Sequence, residues 1–153
     1  MKFDGVDAAN LDLLLGLTSG SAGETSAVLI LIGGAYLVAR KFMNWRIPIS
    51  IFATVALITW GFNAYDPQLF PRPAFMLFAG GLMLGAFFMA TDPVTSPITP
   101  RGAWIFGIGA GVLLVVIRLF GSLPEGVMYS ILLMNAVTPL INRYTRPKFF
   151  GEQ

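Results

Sequence analysis

Two short polar segments interrupt an otherwise apolar chain, and both contain residue types that bind ligands. Residues 20–26 lead directly into an apolar run and end with four small or polar residues: Gly23, Glu24, Thr25 and Ser26. Backbone N–H groups at the start of a helix form a site for an anion or a polar ligand. The same segment fits a capping box, in which Ser21 and Glu24 only satisfy the helix start. The pattern leaves both interpretations open.

The second polar segment, residues 91–100, follows another apolar run and contains three prolines, four hydroxyl side chains and one carboxylate. A carboxylate at the end of a membrane segment is costly unless it is paired or reached by water. Asp92 is therefore either a solvated residue of an interfacial loop or, together with Thr95, part of a re-entrant element beside an ion or cofactor path.

Arg118 is a lone cation near the end of an apolar run. Its long side chain favours an extended conformation that reaches the outer surface. Pairing with an anionic group of a cofactor is the alternative.

Several kinds of chemistry are excluded, because the sequence contains no cysteine and no histidine. Iron–sulfur clusters held by thiolates, zinc sites built from Cys or His, and Ser–His–Asp triads all need these residues. We therefore predict no catalytic residue and no metal site. The net charge of +2 is small and the basic residues lie in short loops, which argues against nucleic acid as a partner.

The composition predicts an all-α polytopic membrane protein. Hydrophobic residues make up 56% of the 153 positions and charged residues only 12%, against about 25% charged residues in soluble domains. Backbone groups inside a bilayer must bond within their own segment, so each long apolar run is predicted to be a helix. We predict a single membrane domain, residues 1–153, with about five transmembrane helices at roughly 22–39, 47–62, 74–90, 104–120 and 126–141.

Local signals refine this prediction. Thr99 followed by Pro100 is typical of a helix N-cap with proline at the first helical position. The pairs Gly81/Gly85 and Gly107/Gly111 each form a G-x-x-x-G motif, which favours close helix packing over contact with a ligand.

Charge predicts the orientation. Seven of the ten Lys and Arg residues fall in the loop after the first run, the loop before the fourth run and the C-terminal tail. Loops rich in Lys and Arg remain in the cytoplasm. The N-terminus is therefore predicted outside and the C-terminus in the cytoplasm.

The order and spacing of the motifs resemble RnfD and NqrB, membrane subunits of flavin-dependent, ion-translocating redox complexes. The resemblance covers almost the whole chain. It is carried by residues 20–26, 32–34, 45–48, 80–83, 88–95, 117–118, 124–126, 135 and 139–141. Residues 90–95 and 144–147 look more like RnfD than NqrB.

The resemblance implies a fold similar to urea transporters, with about ten membrane helices in two pseudo-symmetric halves. This chain looks like the C-terminal half. It also implies FMN bound through a phosphoester to a threonine in a Ser/Thr-Gly-Ala-Thr motif, with riboflavin as a further candidate cofactor. No such motif occurs in the sequence. We therefore expect the attachment site upstream of Met1, which would make the chain a fragment or the product of a truncated gene.

The implied function is that of a subunit of an Rnf-type ferredoxin:NAD oxidoreductase in the bacterial inner membrane. Such a subunit supports a flavin and the transmembrane electron and ion path, and it is not catalytic alone. The implied partners are the other Rnf membrane and redox subunits and membrane lipid. On this resemblance, residues 23–26 lie near the flavin, whereas Asp92, Thr95 and Arg118 border an ion path or a subunit contact.

Other functions stay open at this point. They are an NqrB-type subunit of a Na⁺-translocating NADH:quinone reductase, half of a channel or transporter for a small solute or ion, and a purely structural scaffold. The sequence also leaves open which ion is moved.

Overall fold

The computed structural model describes residues 27–65, 73–78, 81–121 and 126–146, and every regular element in these ranges is helical. Five of the helices contain six residues or more. A sixth, very short helix, which continues as a π-helical turn, lies between the third and the fourth of these five. In chain order they are α1 (Ala27–Ala39), α2 (Arg46–Tyr65), α3 (Pro73–Phe78), α4 (Leu82–Leu84, continued by a π-helical turn Gly85–Met89), α5 (Pro100–Phe120) and α6 (Val127–Thr145).

Helices α2 and α5 are long and apolar enough to cross a membrane, with 20 and 21 residues respectively. At about 1.5 Å per residue, each spans roughly the 30 Å of a bilayer's hydrocarbon core. Both are longer than the sequence predicted. Helix α5 begins at Pro100 because Thr99 caps it, its side chain accepting a hydrogen bond from Gly102 N–H at 3.0 Å, as the Thr99-Pro100 signal predicted.

The closest helix contact lies between α2 and α5. A Cβ atom placed on Gly107 would overlap Ser50 Oγ, and one placed on Gly111 would lie 2.8 Å from Thr54 Cβ. The two contacts advance in the same direction along both helices, so α2 and α5 run parallel. The G-x-x-x-G motif of α5 therefore acts in helix packing, as predicted.

Hydroxyl groups buried at this interface are satisfied within their own helix. Ser50 Oγ donates to the Ile47 carbonyl oxygen at 2.8 Å, and Thr59 Oγ1 donates to that of Val55 at 2.6 Å. These bonds allow the small polar side chains to lie beside the glycine face without an unpaired donor. Around them packs the apolar core, which includes Ile47, Ile51, Val55, Phe106, Ala110 and Leu114.

Helix α6 lies antiparallel to α5. Near one end, Thr99 Oγ1 donates a hydrogen bond to Thr145 Oγ1, which itself donates to the Ile141 carbonyl oxygen. Near the other end, a Cβ on Gly126 would lie 2.9 Å from Ile117 Cγ2. Helix α6 contains Pro139, which leaves one intrahelical hydrogen bond unmade.

The predicted helix 74–90 is divided in the structure. Helix α3 ends at Phe78, and Gly81 adopts a left-handed conformation with φ 49° before the chain resumes as α4. Glycine adopts this conformation at little cost, because it has no Cβ atom to clash with the backbone. Gly81 therefore contributes to the break, whereas Gly85 packs against Val127 of α6.

Helix α1 contacts this broken segment through a second close approach. A Cβ atom placed on Gly34 would overlap the Phe87 ring. The same ring is also 5.4 Å, centroid to centroid, from that of Phe52 on α2. Phe87 thus joins α1, α2 and the π-helical turn.

Replacement of Gly107 by alanine tests the α2–α5 contact. The added methyl group cannot be accommodated beside Ser50 Oγ, so we expect the free energy of unfolding to fall by about 1–3 kcal/mol. Gly61→Ala on α2 is the matched control, because nothing lies within 4 Å of its added methyl group. Unfolding in detergent, followed by helical circular dichroism, measures both. Equal stability of the two variants would contradict the packing described here.

Candidate functional site at the broken helix

Arg118 bonds a backbone carbonyl near the end of α3, just before the break. The last carbonyls of a helix have no donor four residues ahead. Arg118, from the last turn of α5, donates from Nη1 to the carbonyl oxygen of Met76 at 2.8 Å. A cation at a helix C-terminus also interacts favourably with the helix dipole. The guanidinium group thus anchors α3 to α5.

The position of Arg118 differs from the extended, surface-reaching conformation that the sequence favoured. Its side chain is half-buried and bonds the backbone of a neighbouring helix. The reason is that the backbone carbonyl of Met76, close to the end of α3, provides an acceptor beside the last turn of α5. The adjacent glycines Gly80 and Gly81 are a signal in the sequence for a helix break. Nothing in the sequence indicates that Arg118 lies beside that break.

On the other side of the break, the chain forms a π-helical turn. Ala90 N–H donates to the Gly85 carbonyl oxygen at 2.8 Å, a bond that spans five residues rather than four. Gly85 and Ala86 are buried in this turn. Single π-helical turns occur frequently at functional sites, and discontinuous helices line the substrate and ion sites of many transporters.

Asp92 closes the loop that follows the π-helical turn. Its Oδ1 accepts from Val94 N–H and its Oδ2 accepts from Thr95 Oγ1, both at 3.3 Å. Its carbonyl oxygen also accepts from Ser96 N–H at 2.9 Å. The carboxylate is partly exposed. Asp92 and Thr95 are therefore brought together, in a turn that they stabilise themselves.

The end of this loop is held by α6. Ile98 N–H donates to Asn142 Oδ1 at 3.1 Å, and Thr99 bonds Thr145. Sequence reasoning missed Asn142 and Thr145. The available signal was their spacing of three residues in the last turn of α6, which places two polar groups on one face.

The structure does not bring Arg118 together with Asp92 and Thr95. The two sites lie at opposite ends of α5, whose 21 residues separate them by about 30 Å. Within the four described ranges, no group of three or more His, Cys, Asp or Glu residues could hold a metal ion. Gly23, Glu24, Thr25 and Ser26, predicted to lie near a flavin, precede α1 and fall outside those ranges.

Helical elements throughout the described ranges, two of them long and apolar enough to cross a bilayer, are consistent with a membrane protein. Comparison with known proteins makes this more specific. The chain belongs to the NQR2, RnfD, RnfE family, which matches residues 2–151.

Several curated relatives align with nearly the whole chain, and each is named as the D subunit of its complex. The chain is 51% identical over 149 residues to that of a proton-translocating ferredoxin:NAD(+) oxidoreductase complex from Clostridium ljungdahlii. It is 49% identical over 143 residues to that of an ion-translocating oxidoreductase complex from Stutzerimonas stutzeri. It is 44% identical over 145 residues to that of a Na(+)-translocating ferredoxin:NAD(+) oxidoreductase complex from Acetobacterium woodii.

These alignments cover 97%, 94% and 94% of the chain but only 45%, 40% and 43% of the three relatives. The chain thus spans less than half the length of the curated relatives that it matches. The name of the Clostridium ljungdahlii relative specifies protons as the translocated ion, and that of the Acetobacterium woodii relative specifies Na(+).

Arg118→Gln tests whether the guanidinium group holds the broken helix. Loss of a charged hydrogen bond, worth about 1.5–3 kcal/mol, should raise the equilibrium constant for local opening of α3 at least about tenfold. We expect faster amide hydrogen exchange in peptides that cover residues 73–89. Arg101→Gln, at an exposed arginine at the opposite end of the same helix, is the control. The assignment fails if exchange in these peptides is the same in both variants.

Proposed function

We propose that this chain is the membrane-embedded part of an RnfD-type subunit of an ion-translocating ferredoxin:NAD oxidoreductase complex. The observation that carries the proposal is the match of residues 2–151 to the family, together with relatives that bear this name at 44–51% identity. In this proposal, the other membrane and redox subunits of the complex are its partners. The chain is not catalytic by itself.

We further propose that the chain crosses the bacterial inner membrane about five times and forms one half of a ten-helix fold similar to urea transporters. The break between α3 and α4 supports this, because short and interrupted membrane segments are typical of transporters with repeated halves. Alignment with less than half the length of the relatives is compatible with one of two halves.

The proposed orientation places the N-terminus outside and the C-terminus in the cytoplasm. It is supported by the described cations, most of which collect at the end of the bundle where α1 and α6 finish and α2 and α5 begin. They are Arg40, Lys41, Arg46, Arg101, Arg143 and Arg146. Arg46 also lies over the Trp45 ring, 5.1 Å from its centroid, as expected for residues at an interface.

With this orientation, the segment before α1 is proposed to lie at the outer end, on the proposed side of the flavin. Gly23, Glu24, Thr25 and Ser26 are proposed to contact FMN through helix-start N–H groups and hydroxyls. Covalent attachment through a threonine is proposed in the part of the relatives that precedes the matched region, since residues 1–153 contain no Ser/Thr-Gly-Ala-Thr. The flavin would supply electron transfer, and the chain's own residues would position it and exclude water.

For Asp92, Thr95 and Arg118 we propose a role beside an ion path or at a subunit contact. Asp92 is the only carboxylate among the described residues, and a partly exposed carboxylate after a broken helix suits a cation. A channel or transporter half for a small solute is the second candidate, favoured by the break at Gly81. An NqrB-type subunit is the third, since the family includes it.

Cysteine labelling tests the orientation, because the chain has no cysteine of its own. Tyr65 and Phe120 are exposed at one end of the bundle, and Lys41 and Tyr144 are exposed at the other. Each is replaced by cysteine in turn. We expect a membrane-impermeant maleimide to label Tyr65→Cys and Phe120→Cys in intact spheroplasts, and Lys41→Cys and Tyr144→Cys only after permeabilisation. The reverse pattern would refute the proposed orientation.

Asp92→Asn, made in the complete complex, tests the function and the role of the carboxylate together. Asparagine keeps an acceptor for Val94 N–H but removes the charge. If Asp92 borders the ion path, loss of about 1.4 kcal/mol of barrier stabilisation should slow ion uptake by inverted vesicles about tenfold. Thr95→Val is the companion variant, since it removes one bond to Asp92 and leaves the charge.

Ion uptake is measured during ferredoxin-dependent NAD reduction, with disruption of the gene as the reference. Disruption should abolish both activities. Unchanged uptake in the Asp92→Asn variant would remove Asp92 from the path. Persistence of electron transfer after disruption, or solute flux in liposomes without redox partners, would refute the proposed function.

A further inference from the structure

A cleft of about 1360 Å³ opens at the basic end of the bundle, between the start of α5 and the last turn of α6. Its walls include three arginines, namely Arg101, Arg143 and Arg146. Arg101 and Arg143 belong to different helices. The cleft therefore presents cations from two sides.

Asn142, Thr99 and Thr145, which also line this cleft, already have hydrogen-bond partners. Asn142 Oδ1 accepts from Ile98 N–H, and Thr99 bonds both Gly102 N–H and Thr145. Two of these bonds, Ile98 to Asn142 and Thr99 to Thr145, link the start of α5 to α6 and so hold the two walls of the cleft together. Arg101 and Arg143 are exposed, and within the described ranges neither forms an ion pair. The guanidinium groups are thus the donors that face an occupant.

Apolar side chains form another part of the lining. Ile105 lies one turn beyond Arg101 on α5, and Pro139 lies one turn before Arg143 on α6. Both residues lie closer to the middle of the helices than the arginines do. An occupant that fits has an anionic group at the bundle end and an apolar portion directed along the helices.

We propose that this cleft binds an anionic phospholipid, with its phosphate between Arg101 and Arg143 and an acyl chain along Ile105 and Pro139. Basic pockets between membrane helices on the cytoplasmic side bind anionic head groups. An acidic loop of a partner subunit would use the arginines but would leave the apolar wall exposed. The proposal rests on the placement of the chain in a bilayer and is independent of the redox function.

Photocrosslinking tests the proposal with the full chain in detergent micelles. The probe is phosphatidylglycerol with a photoreactive acyl chain, at a concentration below saturation. We expect crosslinks in the peptides that contain residues 98–105 and 139–146. In Arg101→Gln/Arg143→Gln the yield should fall about 30-fold, because each of the two arginines proposed to contact the phosphate should strengthen binding about fivefold.

Two further variants separate the cleft from general charge and from folding. Arg40→Gln/Lys41→Gln removes two cations at the same end that do not line the cleft. Salt screens their attraction to a head group inside it, so the yield should stay within about twofold. Arg101→Lys/Arg143→Lys keeps both charges and should retain most of the crosslinking.

Three results of the micelle experiment would overturn the proposal. They are an equal loss of crosslinking in the control pair, equal crosslinking by photoreactive phosphatidylcholine, and full competition by soluble glycerol phosphate at the same concentration. The last result would assign the arginines to a free anion. In the intact complex, crosslinking of the cleft to an acidic segment of another subunit in place of lipid would likewise refute it.

Discussion

The close approach of α2 to α5 is the contact on which the rest of the bundle depends. At Gly107 the missing side chain lets Ser50 reach the backbone of α5, and the absence of a side chain at Gly111 does the same for Thr54. In a bilayer, where lipid is as apolar as leucine, such packing replaces the hydrophobic effect as the force between helices. Helix α5 is thereby fixed along its length.

Two polar contacts then extend from the ends of α5. At its start, Thr99 links the cap of the helix to Thr145 of α6. At its end, Arg118 holds the carbonyl oxygen of Met76 and with it the first half of the broken helix. One helix thus fixes both the loop that contains Asp92 and the break. This arrangement explains how two sites about 30 Å apart can share a single rigid support.

Much of this architecture is accessible from the sequence. Apolar composition predicts helices, Thr99-Pro100 predicts the cap of α5, and the spacing of Gly107 and Gly111 predicts a packing face. The apolar run places the start of α5 near residue 104 instead of at Pro100, because a polar first turn with Arg101 does not look like a membrane segment. The break at Gly81 is hidden in composition, since the residues on both sides are equally apolar.

The candidate site is less accessible. Asp92 and Thr95 are three residues apart, so a local turn can be inferred. The contact of Arg118 with Met76 joins residues 42 positions apart, and a backbone acceptor leaves no trace in side-chain types. The cleft between Arg101 and Arg143 is also hidden in the sequence, because its two walls come from antiparallel helices whose facing residues are far apart along the chain.

The π-helical turn from Gly85 to Met89 has a consequence for how this segment varies. It contains one more residue than an α-helical turn would, and each residue of an α-helix rotates the chain by about 100°. The direction in which Thr91 and Asp92 leave the bundle is therefore set by the number of residues between Gly85 and Ala90 as well as by their identity. A substitution leaves this rotation of the chain unchanged, whereas removal of a single residue would turn the whole following loop toward a different neighbour.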